Sequence, residues 1–324
     1  MAVKVGFIGC GGMNRGHMNT VKAIAGTKIV AVCDIAKDRV QAAAEAFEAR
    51  AYTDYAKMIE NEAIDAMFVA LPPFAHEDQE LLAAKRGIHL FVEKPVALTM
   101  EKAKQIERAI VKAGVIATAG FQDRYQDIVA QLKKMLEKTR AGLIMGYWVG
   151  GMPGVMWWRR KDQSGGQAVE QTIHTFDMAR YLFGDVKTVH AVYSKGLMTD
   201  VPKYTVEDAS AVNLQFRSGL CGTIFSGCFL KGYGKVGLDI WCPEVKFEYA
   251  GRSSLVINRA GQDPEVRTVA NPFGQEIVRT FLNAVKTGDA SKLKSTYADA
   301  VKSLAVVAAA NESMKTGEAV KVKA

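Results

Sequence analysis

Along the first 120 residues, short apolar runs rich in β-branched residues alternate with stretches whose apolar positions recur every three or four residues. The strand candidates are VKVGFI (3–8), KIVAVC (28–33), AIDAMFVAL (63–71), IHLFVE (88–93) and VIATAG (115–120). Between them, stretches such as DRVQAAAEAFEA and TMEKAKQIERAIVKA carry the helical period, the second opened by Thr99 as N-cap and closed by Gly114. Strand, helix, strand repeated in this way predicts a doubly wound parallel sheet with right-handed crossovers.

The rhythm changes near residue 124. A helix over 124–138 and a strand over 143–150 lead to a Gly/Pro/Trp-rich loop and a helix within 166–183. From 186 to 269 the runs VKTVHAVYS, DASAVNLQF, GLCGTIFSGCF, GLDIWC and VKFEY succeed one another with no helix between, the mark of an antiparallel sheet. The tail returns to helix at QEIVRTFLNAVKTG and TYADAVKSLAVVAAANESMKTG. The expected organisation is a first domain over 1–122 and a second over 123–324, with the last helices free to pack back on the first.

Composition narrows the class. A length of 324 residues, 49% hydrophobic and 23% charged, is that of a soluble two-domain globular protein. No apolar run approaches the roughly 20 residues of a membrane helix, and the N-terminus carries no signal-peptide pattern, so the expectation is a cytoplasmic protein without membrane contact. Cys10, Cys33, Cys221, Cys228 and Cys242 are odd in number and lack CxxC spacing, which argues against disulfides and against a metal site. The net charge of +8 is spread along the chain, and the densest basic run, WWRRK, holds three charges, so no nucleic-acid partner is expected.

The stretch VKVGFIGCGGMNRGHM sets Gly9 and Gly11 in a G-x-G-x-x-G frame whose third glycine is replaced by Asn14. It follows the first strand and opens a helix, where backbone amides and the helix dipole can hold a pyrophosphate. Gly9 makes the tight turn, Gly11 allows close approach, Gly12 and Met13 complete the loop, and Asn14 is expected to loosen helix-to-strand packing. The second strand ends in Asp34, placed to meet the ribose hydroxyls. An acid there favours NAD over NADP, while Lys37 and Arg39 close behind leave NADP open.

Two further segments carry chemistry. VEKP (92–95) puts Lys94 at the carboxyl edge of a parallel strand, the edge where open α/β sheets bind ligands, although a solvated lysine is the better reading of those residues alone. In SGGQAVEQTIHTFDMARYLFG (164–184), a continuous helix sets Glu170, His174, Asp177 and Tyr181 on one face and Val169, Ile173, Phe176 and Phe183 on another. A polar stripe of this kind also occurs as a simple solvated face.

Taken together, GFIGCGGM, AVCD, DYAKMIENEAIDAMFVALPPFAH, IHLFVEKPVALT, GFQDRY, WWRRKDQSGGQAVEQTIHTFDMARYLFGDV and KTGEAVKV resemble the Gfo/Idh/MocA oxidoreductases over nearly the whole chain. The resemblance implies an N-terminal Rossmann domain that binds the dinucleotide and a C-terminal α/β domain with a large open, mostly antiparallel sheet for substrate binding and oligomerisation. It places the active-site lysine on Lys94 and the histidine on His174, with Glu170 where an aspartate is usual. It sets Pro72, His76, Glu93, Lys94, Trp158 and Arg159 beside the cofactor, in addition to Gly9, Gly11, Gly12, Met13, Asp34 and Arg39. Candidate substrate contacts are Lys94, Arg124, Tyr125, Trp157, Glu170, His174 and Asp177.

The implied activity is NAD(P)-dependent hydride transfer between the nicotinamide and a secondary hydroxyl of a sugar, sugar derivative or cyclitol. His174 titrates near neutrality and suits the proton-abstracting base, Lys94 suits the developing oxyanion, and Glu170 suits the orientation of substrate hydroxyls or of His174. His17, His89 and His190 read as structural. The fold also allows an NAD-dependent glycosidase or a non-catalytic nucleotide sensor. A homodimer or homotetramer is expected.

Overall fold

The computed structural model describes residues 2–323. The chain divides into two compact units, one built from the chain up to Gln122 together with Phe273–Ala300, the other from Asp123–Pro272 together with the chain from Val301 onward.

In the first unit β1 (Val3–Ile8), α1 (Gly12–Lys22), β2 (Thr27–Cys33), α2 (Lys37–Phe47), β3 (Arg50–Tyr52), α3 (Tyr55–Asn61), β4 (Ala66–Val69), α4 (Gln79–Lys85), β5 (His89–Val92), α5 (Met100–Ala113) and β6 (Ala117–Ala119) alternate as expected. The six strands form one sheet in the order β3-β2-β1-β4-β5-β6, parallel throughout. The order reverses beside β1, the switch point at which such sheets open a crevice at their carboxyl edge. Strands β4 and β5 are wholly or nearly buried, as a sheet covered on both faces requires. Phe7, Phe68 and Phe91 stack across β1, β4 and β5, and Phe281 meets the last two edge-on. As predicted, Thr99 caps α5 by accepting the Lys102 amide, and Gly114 closes it in the left-handed conformation.

In the second unit α6 (Asp127–Leu136) and β7 (Leu143–Val149) precede the short turns α7 (Lys161–Ser164) and α8 (Gln167–Glu170), then α9 (Ile173–Phe183). The strands β8 (Val186–Ser194), β9 (Ala209–Phe216), β10 (Cys221–Gly227), β11 (Lys235–Trp241), β12 (Val245–Ala250), β13 (Ser254–Arg259) and β14 (Glu265–Thr268) follow. The helix α10 (Phe273–Thr287) lies in the first unit, α11 (Tyr297–Thr316) starts there and runs on into the second, and β15 (Val320–Lys321) ends the described chain.

The second sheet is open, with nine strands in the order β14-β13-β12-β11-β7-β10-β9-β8-β15. Every pair is antiparallel except β7 with β10. One face carries Ile144, Ile224, Leu238, Ile240 and Phe247, all buried, and α6, α8 and α9 pack against strands of this sheet. Register puts Met145, Tyr147, Phe225, Trp241, Val192 and Val266 on the other face. Among these, Val192 and Val266 are exposed.

Two expected helices are shorter or broken. The span 124–138 is a 3-10 turn at Gln122–Tyr125 followed by α6. The span 166–183 is α8 and α9 with an interruption at Gln171–Thr172, where the Thr172 amide reaches back to the Gln167 carbonyl and the His174 amide to that of Gln171. Gln167 is held by its side chain, whose amide donates to the carbonyls of Trp148 and Gly227 in the sheet. The turn is therefore fixed to β7 and β10 before α9 begins.

Candidate cofactor and active sites

The glycine loop is built as a cradle for an anion. Gly9 has φ +85°, and a Cβ there would strike the Ala70 carbonyl, so only glycine makes the turn. A Cβ on Gly11 or Gly12 would meet nothing within 4 Å, so the start of α1 has open space beside it. No side chain caps that end, its first turn holds no acid, and Met13 beside it is exposed. Unsatisfied amides with the positive end of the helix dipole suit a pyrophosphate.

Asn14 does not loosen this loop. It is buried, and its side-chain amide donates to the carbonyls of Ile8 at 2.8 Å and Gly9 at 2.6 Å. The residue at the third-glycine position thus ties α1 to the end of β1. Two such bonds are worth roughly 0.5–1.5 kcal/mol each.

Asp34 ends β2 with both carboxylate oxygens engaged. Oδ2 accepts the Cys10 amide at 2.8 Å and Arg39 Nε at 3.1 Å, while Oδ1 accepts the Ala36 amide at 2.9 Å and Arg39 Nη2 at 2.8 Å. Burial alone would raise its pKa, but the bonds from Arg39 and the two amides prevail and hold the carboxyl below its ordinary range. The cation expected only to temper Asp34 grips it directly. Cys10 and Cys33 flank this corner, and burial pushes both thiols up to about 12.

At the carboxyl edge of β5, Glu93 is held from three sides. Its Oε1 meets His17 Nε2 at 2.7 Å, its Oε2 accepts the Lys94 amide at 3.2 Å, and its carboxyl fills the space that a side chain on Gly120 would need. The His17 ring lies against both Phe68 and Phe91. Lys94 follows at the turn, joined to Pro95 by a cis peptide bond. Pro72 precedes a 3-10 turn over Pro73–Ala75, and His76 Nδ1 lies 2.6 Å from Glu80 Oε1 in a fully buried pair. His89 Nδ1 accepts the Ile116 amide, and burial lowers its pKa.

In the second unit, His174, Asp177 and Tyr181 lie on α9, while Glu170 ends α8 before the interruption. Glu170 Oε2 accepts the indole N–H of Trp158 at 2.8 Å. Trp158 is itself fully buried with Val206 and Cys228, and Trp157 packs at the rim of that cluster. Arg159 keeps a buried Nε without a hydrogen-bond partner. Arg124 and Asp177 are buried and hold one another, Nε to Oδ2 at 2.8 Å and Nη2 to Oδ1 at 2.5 Å, while Ser303 donates to Oδ1 at 2.7 Å. Tyr125, also buried, offers its carbonyl to Asn271.

His174 stands among residues that the motifs point to weakly or not at all. Its ring stacks on Trp148, with centroids 5.4 Å apart. Nδ1 faces Asp123 Oδ2 at 3.5 Å, and Nε2 faces Arg252 Nη2 at 3.5 Å. Arg252 also grips Asp123, Nε to Oδ1 at 2.8 Å and Nη2 to Oδ2 at 3.3 Å. The acid beside Arg124 in GFQDRY was a weak signal for Asp123; Arg252, in the turn after β12, had none. Among the described residues no group of three or more His, Cys, Asp or Glu side chains could hold a metal ion, and no helix is long and apolar enough to cross a membrane.

Comparison with known proteins agrees with both units. Residues 3–121 match the oxidoreductase family with an NAD-binding Rossmann fold, and residues 129–248 match the GFO/IDH/MocA C-terminal domain. The myo-inositol 2-dehydrogenase of Thermotoga maritima is 30% identical over 234 residues, 68% of this chain and 67% of its own. The NAD(+) scyllo-inositol 2-dehydrogenase of Bacillus subtilis is 28% identical over 232 residues, 68% of this chain and 66% of its own. The matched regions thus span about two thirds of these relatives. Levoglucosan dehydrogenase, solved in complex with NADH, has the same fold, with a TM-score of 0.88 over 100% of both chains at 22% identity. The chain belongs to the Gfo/Idh/MocA oxidoreductase family.

Proposed function

We propose that this protein is an NAD-dependent dehydrogenase acting on a secondary hydroxyl of a sugar or cyclitol. The observation that carries the reading is the uncapped, unobstructed start of α1 beside an ionised Asp34, a combination that fits a dinucleotide. Bound NAD supplies the hydride acceptor. Gly9, Gly11, Gly12 and Met13 line its pyrophosphate, Asp34 takes the ribose hydroxyls, and Arg39 guards that corner. Pro72, His76, Glu93 and Arg159 complete the cofactor contacts, and the unpartnered Nε of Arg159 is a donor a ligand would satisfy.

Removing hydride from a carbinol carbon requires the hydroxyl proton to leave, and His174 Nε2 takes it. Lys94 hydrogen-bonds the same oxygen and stabilises its developing charge. Glu170, aimed by Trp158, orients neighbouring hydroxyls, and Trp157 offers a ring face. We read Trp158, Tyr125 and the Arg124–Asp177 pair as braces behind the site, since each is buried and engaged within its own unit. The substrate class rests on relatives that are inositol dehydrogenases.

Two copies pair through the open face of the nine-stranded sheet, where stacked Tyr147 and Phe225 lie in register with exposed Val192. Light scattering on the native protein and on Val192→Lys distinguishes this from a monomer. The function itself is tested by incubating the protein with NAD and a panel of cyclitols and sugars while following NADH absorbance. Reduction with at least one polyol, faster with NAD than with NADP, is expected; no reduction across the panel overturns the reading.

A further inference from the structure

The geometry points to Asp123 and Arg252 as positioning residues that fix the tautomer of His174. An arginine side chain only donates, so the ring nitrogen facing Arg252 Nη2, Nε2, presents a lone pair. A neutral imidazole carries its single proton on the other nitrogen, and Nδ1 faces the carboxylate of Asp123. Both contacts are 3.5 Å, longer than closed hydrogen bonds, as is common where a site tightens around its ligand. The result is a histidine whose basic nitrogen is Nε2 and whose protonated nitrogen is backed by an acid. The orienting acid is then Asp123, from the turn before α6, whereas the resemblance offered Glu170 for that task.

Three observations place this arrangement beyond chance contact. Arg252 holds Asp123 through two nitrogens, so the carboxylate cannot swing freely. Arg252 itself sits at φ +68°, a left-handed conformation that a side-chain-bearing residue adopts at a cost, in the turn joining β12 to β13. Trp148 stacks flat on the His174 ring and lies 5.8 Å from the Arg252 guanidinium, closing the ring plane from one side. The charged groups facing the ring are Asp123 and Arg252, and Tyr249, whose hydroxyl burial and Asp123 keep protonated, lines the same hollow; Asp177, three positions along α9, is held by Arg124. Asp123 stabilises an imidazolium and Arg252 opposes it.

The experiment is NMR of the full-length protein labelled with ring-nitrogen-15 histidine, the His174 signals being identified by their loss in His174→Gln among the five histidines. A proton on Nδ1 in the native protein is expected; a proton on Nε2 overturns the inference. Asp123→Asn should mix the tautomers and lower the His174 titration midpoint, and Arg252→Ala should raise it, each by about one pH unit. Midpoints that stay put, or move in the same direction, also overturn it. Should Asp123→Asn fail to fold, the native tautomer and the Arg252→Ala midpoint still decide. The inference rests on the proposed function only for its effect on rate, a fall of about tenfold in kcat for Asp123→Asn with unchanged NADH binding. A correct tautomer with full turnover in His174→Ala would remove the base assignment and leave the geometry standing.

Discussion

The two units hold their functional groups by different means. In the Rossmann unit the carboxylate of Asp34 is gripped by two backbone amides and by Arg39, five positions along the chain, and the anion cradle is bare backbone at Gly11 and Gly12. In the second unit Asp123 meets His174 across 51 positions and Arg252 across 129, and Arg124 meets Asp177 across 53. A site made of main chain and near neighbours follows once the strand and helix form. A site made of distant side chains exists only when the whole unit is folded, and it fails when either partner of a pair is lost.

The largest effects should therefore come from single side chains with no backbone substitute. His174→Ala and Lys94→Ala are each expected to lower turnover by about 10² to 10⁴, the range for a positioned proton-transfer or charge-stabilising group. NADH affinity, measured by fluorescence titration, should change little, because neither residue is assigned to the pyrophosphate or ribose. If both serve one hydroxyl, as proposed, the double variant should be far less impaired than the product of the singles. Additive losses would mean that the two serve different steps.

Next in size is Arg124→Ala. Its guanidinium and the Asp177 carboxylate are 3% and 2% exposed, so removing one charge leaves the other buried and uncompensated. Breaking such a pair costs roughly 3–5 kcal/mol, which urea unfolding of the second unit would read directly. Replacing Arg124 and Asp177 together by Met and Leu should recover most of that loss. A single variant of native stability would show that the pair is not a brace, and would return Arg124 to the candidate substrate contacts.

What could be read along the chain divides in the same way. The buried strands of the first unit, the glycine loop and Asp34 are legible because period and spacing are local properties: β1, β4 and β5 lie within the expected runs, and β2 exceeds its run by Thr27 alone. The three-residue β3 and the polar edge strand β14 (EVRT) carry too little apolar signal to announce themselves. The helix through 166–183 looks continuous by period, yet Gln167 is bonded to strand carbonyls that only the folded sheet supplies, and the break follows. Asp123 is faint and Arg252 silent, because nothing local distinguishes a long-range pair from two surface charges. Asn14 reads in the sequence as a loosening of packing because the third-glycine rule concerns packing alone; its two hydrogen bonds are visible only once Ile8 and Gly9 turn their carbonyls toward it.

Asn14 gives the third prediction, and it applies the comparison to the first unit. Asn14→Ala removes both donors and strands two carbonyls beside the loop, at a cost of about 1–3 kcal/mol in thermal stability, and weakens NADH binding by disordering the start of α1. Asn14→Gly restores the family frame without restoring the bonds. It should bind NADH no better than Asn14→Ala does. Tighter binding by the glycine variant would mean that closer packing, rather than the amide staple, is what the loop requires.

The smallest expected effect is at Arg39, and its sign is the informative part. The guanidinium is 57% exposed, so its pair with Asp34 contributes at most ~1 kcal/mol, screened by salt. Arg39→Ala should change NADH affinity only a few-fold, because the Cys10 and Ala36 amides still hold the carboxylate in place. NADPH binding should weaken more, since the unmasked carboxylate repels the 2′-phosphate and the only nearby guanidinium gripping Asp34 has gone. The pH dependence follows from the same bonds. Asp34 is held below its ordinary value, so the ionised carboxylate contributes stability that is complete above the unfolded carboxyl value of about 3.9 and is lost as pH falls through the folded one. Removing Arg39 raises the folded value toward the unfolded one and diminishes that contribution, so acid unfolding of the variant should begin at higher pH than in the native protein. If NADPH instead bound more tightly to Arg39→Ala, the arginine would be repelling the cofactor by its bulk, and the charge argument at the end of β2 would have the wrong sign.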